Sequence, residues 1–70
     1  QKEDAQKFMV VFHELDAKDQ YLLTSRFVEG KSYSSMASDL GIQPNSVRMA
    51  VTRAKRRTFE LLKQRYPDEK

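Results

Sequence analysis

Residues 33–57 read YSSMASDLGIQPNSVRMAVTRAKRR: a short amphipathic run, a glycine at position 41, and a longer run opened by Pro44. In the short run Tyr33, Met36, Ala37 and Leu40 recur at helical spacing, which predicts a helix over 33–40. Ser32 stands where an N-cap is needed, although the capping box is incomplete because Ser35 follows it rather than Glu or Gln. Gly41 can take the left-handed conformation that ends a helix. Pro44 then suits a first helical position, and its ring holds Gln43 extended. Val47, Val51, Ala54, Thr58 and Leu61 with Leu62 continue as one inner stripe, predicting a helix over 44–65. Tyr66-Pro67 stops it, with Lys63 and Arg65 in a last turn where cations favour the dipole. Two helices joined by a tight glycine turn make a helix-turn-helix, whose second helix can lie in a DNA major groove. Small Ala37 permits close approach, and Ile42 and Val47 are expected to fill the angle between the helices.

The upstream half supplies the support. Phe8, Val11, Phe12 and Leu15 fall on one stripe of a helix over 4–15. Asp16 reads as the next N-cap, with Asp19 in the first turn where negative charge favours the dipole. A helix over 17–29 carries Leu23 and Phe27 on one side and Ala17, Tyr21 and Val28 nearly opposite, so it is expected in the middle of the bundle, with Gly30 as its stop. The first three or four residues and 67–70 read as frayed ends. No segment alternates as a strand would. The expected fold is all-α: one four-helix, helix-turn-helix domain over 1–70 with a long C-terminal recognition helix.

Size and composition exclude much else. A chain of 70 residues hides only roughly 60% of its unfolded surface, which leaves no room for a second core, a deep substrate cleft or a buried cofactor. With no cysteine there is no disulfide and no thiolate metal site. No apolar run is long enough for a signal or a membrane span, so a cytoplasmic protein without membrane insertion is expected. His13 is the one histidine, and its neighbour Glu14 points to another side of the helix. Neither a ligand set nor a nucleophile with its base is visible, and the chain is read as a non-enzyme without cofactor or metal. Beginning at Gln1 rather than Met, it reads as a fragment or a processed form.

The net charge of +3 is unevenly placed. Up to Val47 acidic residues outnumber basic ones, whereas from Arg48 to Arg65 seven basic residues stand against Glu60 alone. Clustered Lys and Arg neutralise phosphates and release condensed counterions, which points to a polyanionic partner. On a helical wheel the basic residues lie away from the inner stripe: Asn45, Met49, Thr52, Arg53 and Arg56 opposite it, Arg48 and Lys55 on one flank, Arg57 on the other. Asn45, Ser46, Arg48, Met49 and Thr52 lie near the N-terminal end, where side chains reach base edges. Arg53, Lys55, Arg56 and Arg57 lie farther along, better placed for phosphates. Ser32, with the free amides that open the 33–40 helix, is a further phosphate candidate, as is Tyr33.

The run GKSYSSMASDLGIQPNSVRMAVTRAKRRTFELL, residues 30–62, resembles the C-terminal promoter-recognition domain (region 4) of bacterial sigma factors, especially the extracytoplasmic-function group. With the preceding LDAKDQYLLTSRFVEG the similarity covers about residues 8 to 64. Its most telling piece is VRMAVTRAK. The resemblance implies that the last helix enters the major groove of the −35 promoter element, with Arg48, Met49, Thr52 and Arg53 at positions that read bases or neighbouring phosphates. It also implies double-stranded promoter DNA, the RNA polymerase core at its β-subunit flap and an anti-sigma factor as partners. Family members usually have acidic residues at Ser34 and Ser35, often Gly at Asn45, and a small polar then a basic residue at Met49 and Ala50. The nearest competitor is the helix-turn-helix output domain of response-regulator-type activators. A domain acting mainly through protein contacts of its first two helices is the alternative from another class.

Overall fold

The structure, a computed structural model, describes residues 2–67. Four helices follow one another: α1 (Lys2–Glu14), α2 (Ala17–Leu23), α3 (Tyr33–Leu40) and α4 (Pro44–Arg65). No strand occurs among the described residues, and the fold is the all-α helix-turn-helix expected. α3 and α4 have the expected limits, while α1 begins and ends slightly earlier than expected. The expectation of frayed ends falls at residues 1 and 68–70 outside the described residues; residues 2 and 3 are helical.

Local chemistry accounts for each boundary. The Asp16 carboxylate accepts from the Asp19 amide at 2.9 Å and caps α2, and the Ser32 hydroxyl accepts from the Ser35 amide at 3.0 Å and caps α3. The Gln20 side-chain amide donates to the carbonyls of Phe12 and Leu15, satisfying the end of α1 at the reversal into α2. Gly30 and Gly41 both adopt positive φ, near 70°, where a Cβ is disfavoured. At Gly41 the turn closes with amides of residues 41 and 42 both donating to the Ala37 carbonyl.

The helix over 17–29 departs from expectation. Beyond Leu23 it widens into a π turn (Thr24–Val28), in which the Glu29 amide donates to the Thr24 carbonyl at 3.0 Å. The extra residue per turn takes Phe27 off the stripe above Leu23. Phe27 and Val28 are therefore exposed, 57% and 79%, and Ala17 is exposed as well. The buried pair is Leu22 and Leu23.

The long helix is the hub: α1, α2 and α3 all pack against α4, so α2 does not occupy the centre. Val47, Val51, Ala54 and Thr58 are buried along it, as the periodicity required, with Leu61 and Leu62 half-buried. One core cluster joins Leu22, Met36, Ala37, Val47 and Val51; a second joins Leu15, Leu23 and Ala54. Met36 and Val47 fill the angle of the helix-turn-helix, whereas Ile42, expected there, is exposed. Phe8, expected on the inner stripe of α1, is also exposed, while Val11 and Leu15 are buried. Among the described residues no buried side-chain polar atom lacks a partner.

Candidate nucleic-acid interface

Burying Val47, Val51, Ala54 and Thr58 forces the opposite side of α4 outward. Asn45, Ser46, Arg48, Met49, Thr52, Arg53, Lys55, Arg56 and Arg57 are all exposed. Arg48, Met49, Thr52, Arg53 and Arg56 line a shallow hollow on this face. Within it the Arg48 guanidinium donates to the Asn45 side-chain oxygen at 2.5 Å. The Thr52 hydroxyl donates to the Arg48 carbonyl at 3.0 Å, one turn back.

The phosphate candidates divide into free and engaged groups. Arg53 and Arg56 stand on the open face. The Lys55 ammonium lies 5.5 Å from the centre of the Phe27 ring, at the edge between this face and the π turn. The Ser32 hydroxyl accepts the α3 cap bond but retains its own proton for donation. Tyr33 is half-buried against the core, with the Arg26 guanidinium 4.2 Å over its ring. Arg57 is turned toward α2, where it forms an ion pair with Asp19, 38 residues away in sequence. The Asp19 carboxylate is nearly buried, so this arginine holds α4 to α2.

The Asp19–Arg57 pair has a measurable consequence. Arg57→Ala leaves a buried carboxylate without its cation and is expected to destabilise the fold by about 1–2 kcal/mol, below the figure for fully buried pairs because the guanidinium is half-exposed. In urea denaturation, Asp19→Ala combined with Arg57→Ala should cost less than the two single losses added; additive losses would show that the two do not interact.

A polar clasp orients α3 against α2. The Asp39 carboxylate accepts from Lys31 at 3.2 Å and from the Tyr21 hydroxyl at 3.1 Å. The hydrogen bond from Lys31, then that from Tyr21, holds Asp39 below its ordinary pKa; the same bond to Asp39, then the electrostatic influence of the neighbouring Tyr21 side chain, raises Lys31. At the far end of α4, Arg65 meets Glu14 of α1 at 2.6 Å, which raises the arginine pKa.

A second surface, expected from the sequence as apolar contact area on the first two helices, takes in α4 as well. Phe8, Met9 and Phe12 of α1, Phe27 and Val28 of the π turn, and Phe59 and Leu62 of α4 line an open apolar groove. Phe59 is 63% exposed. The available signals were the unbroken apolar run Phe8–Phe12 and a second apolar flank on α4 at Phe59 beside Leu62. Both exceed what one buried stripe needs.

The family model described as sigma-70, region 4, matches residues 5–58. No curated protein and no solved structure matches significantly.

Proposed function

The chain belongs to the sigma-70 region 4 family, and we propose that it recognises the −35 promoter element through α4 in the major groove while its apolar groove docks on the β-subunit flap of RNA polymerase. The family is one of DNA-binding domains acting in transcription initiation and not an enzyme class. The observation that carries the proposal is the outer face of α4. It is exposed from Asn45 to Arg56, apart from the packed stripe, and holds four cations in that stretch (Arg48, Arg53, Lys55 and Arg56) without an acidic residue. Asn45, Ser46, Arg48, Met49 and Thr52 serve as the base-reading set; Arg53, at the edge of that set, serves phosphates with Ser32, Lys55 and Arg56. Arg57 supports the helix from behind, and Tyr33 packs. Residues 1–70 act as one unit in the cytoplasm, where promoter and polymerase meet, and no helix among the described residues is long and apolar enough to cross a membrane.

The apolar groove supports the protein contact, since an exposed array of Phe8, Met9, Phe27, Val28 and Phe59 is larger than scattered surface hydrophobics require. An anti-sigma factor would compete for this same groove. The family match favours this reading over a response-regulator output domain.

Two single substitutions test the division of labour. Phe59→Ser is expected to weaken binding to an isolated flap fragment about tenfold, as loss of a central aromatic anchor does, with affinity for promoter duplex unchanged. Arg53→Ala should weaken the duplex and leave the flap alone. If each variant lost both partners equally, the two surfaces would not be separate and the proposal would fall.

A further inference from the structure

The hollow on α4 brings two kinds of chemistry together. Arg48 is exposed, yet its guanidinium is held by the Asn45 side-chain oxygen at 2.5 Å. That bond engages one N–H of the five on the fork, leaving the others for a second acceptor. A guanidinium held in place loses less rotamer freedom when it meets a planar acceptor pair such as guanine O6 and N7. Beside it, Met49 is 47% exposed and presents a thioether and methyl. The Thr52 hydroxyl gives its proton to the Arg48 carbonyl, which leaves the side chain one apolar group, its methyl, and an oxygen that can only accept. The hollow is thus lined by two methyl-bearing side chains and three arginines.

Spacing sets how these groups meet DNA. From Arg48 to Thr52 the helix rises about 6 Å, close to two base-pair steps of roughly 3.4 Å. A thymine exposes its methyl in the major groove, the one apolar feature that separates it from the other bases there. We propose that the hollow lined by Arg48, Met49 and Thr52 reads a guanine together with a thymine methyl one or two base pairs away, and that Asn45 is a positioning residue that holds the Arg48 guanidinium toward the guanine. This assignment rests on the DNA-binding reading above and adds to it a base content and a division of roles: Asn45, placed among the base readers by sequence, acts through Arg48.

Chemically altered duplexes test each part. A duplex selected from a random pool by the 70-residue chain is made with 7-deazaguanine at single guanines, which removes N7, and with deoxyuridine at single thymines, which removes only the methyl. For the unaltered chain, one deazaguanine position should weaken binding about tenfold, and one deoxyuridine within two base pairs of it about threefold. Arg48→Ala should bind the deazaguanine and normal duplexes alike, and Met49→Ala should bind the deoxyuridine and normal duplexes alike. Asn45→Ala should weaken binding to the normal duplex about threefold and leave binding to the deazaguanine duplex unchanged, because the brace matters only where Arg48 has its acceptor pair. Equal loss on both duplexes would make Asn45 an independent contact and overturn its positioning role. Indifference of the unaltered chain to deoxyuridine near the sensitive guanine would overturn the methyl reading. Salt-dependent binding without any selected sequence would overturn the inference while leaving DNA binding intact, and absence of binding to any duplex would overturn both.

Discussion

A Val51→Asp chain is expected to lose its native helicity at room temperature. Val51 is 1% exposed and packs with Leu22, Met36, Ala37 and Val47, so it joins α2, α3 and α4 at one point. The substitution removes about 1.5–3 kcal/mol of apolar burial and places a carboxylate in a site with no cation, at a further cost of several kcal/mol. A core in a chain of this length rarely supplies more than about 3–5 kcal/mol, so the loss exceeds what is available. Circular dichroism and thermal melting read the outcome directly. Met49→Asp is the matched control: the same side chain, two residues earlier, enters an exposed position and should leave the melt nearly unchanged while weakening DNA binding by repulsion. Native helicity in Val51→Asp, or unfolding of Met49→Asp, would show that α4 faces the core differently.

The second large effect is on the salt dependence of DNA affinity. With Arg53, Lys55 and Arg56 as the phosphate contacts, the slope of log affinity against log salt should be about −2.7. Between 50 and 200 mM salt this is about a 40-fold loss. Arg53→Ala with Arg56→Ala should reduce the slope to about −0.9, leaving roughly a threefold to fourfold loss over the same range, and should weaken all sequences alike. Arg57→Ala, by contrast, should lower stability without changing the slope, because that guanidinium is paired with Asp19. An affinity indifferent to salt would remove the phosphate contacts. A reduced slope in Arg57→Ala would return that residue to the DNA face.

The contrast between Arg56 and Arg57 shows where sequence reading succeeds and where it stops. Both are adjacent cations on an amphipathic helix, and both qualify as phosphate contacts by charge and wheel position. Arg57 lies on the flank that meets α2, where Asp19 is buried and needs a cation; nothing local to either residue announces that pairing. Asp19 itself reads as a first-turn acid favouring the helix dipole, which it is, but its second role depends on a residue 38 positions away. The groove shows the same limit. Phe27 at four residues from Leu23 belongs on an inner stripe only if the helix remains α-helical, and the π turn removes that condition.

The elements whose chemistry is local were legible along the chain. Caps at Asp16 and Ser32, positive φ at Gly30 and Gly41, Pro44 at the opening of α4, and the stripe from Val47 to Thr58 each depend on residues within a few positions of one another. With the basic run beyond Arg48, they sufficed for an all-α helix-turn-helix with a cationic outer face. Tertiary packing alone decided which helix is the hub, which arginine is engaged in holding the fold, and which aromatic side chains remain outside. Those outcomes depend on partners brought together from distant parts of the chain, where a buried carboxylate must be neutralised and a limited core can cover only some of the apolar surface.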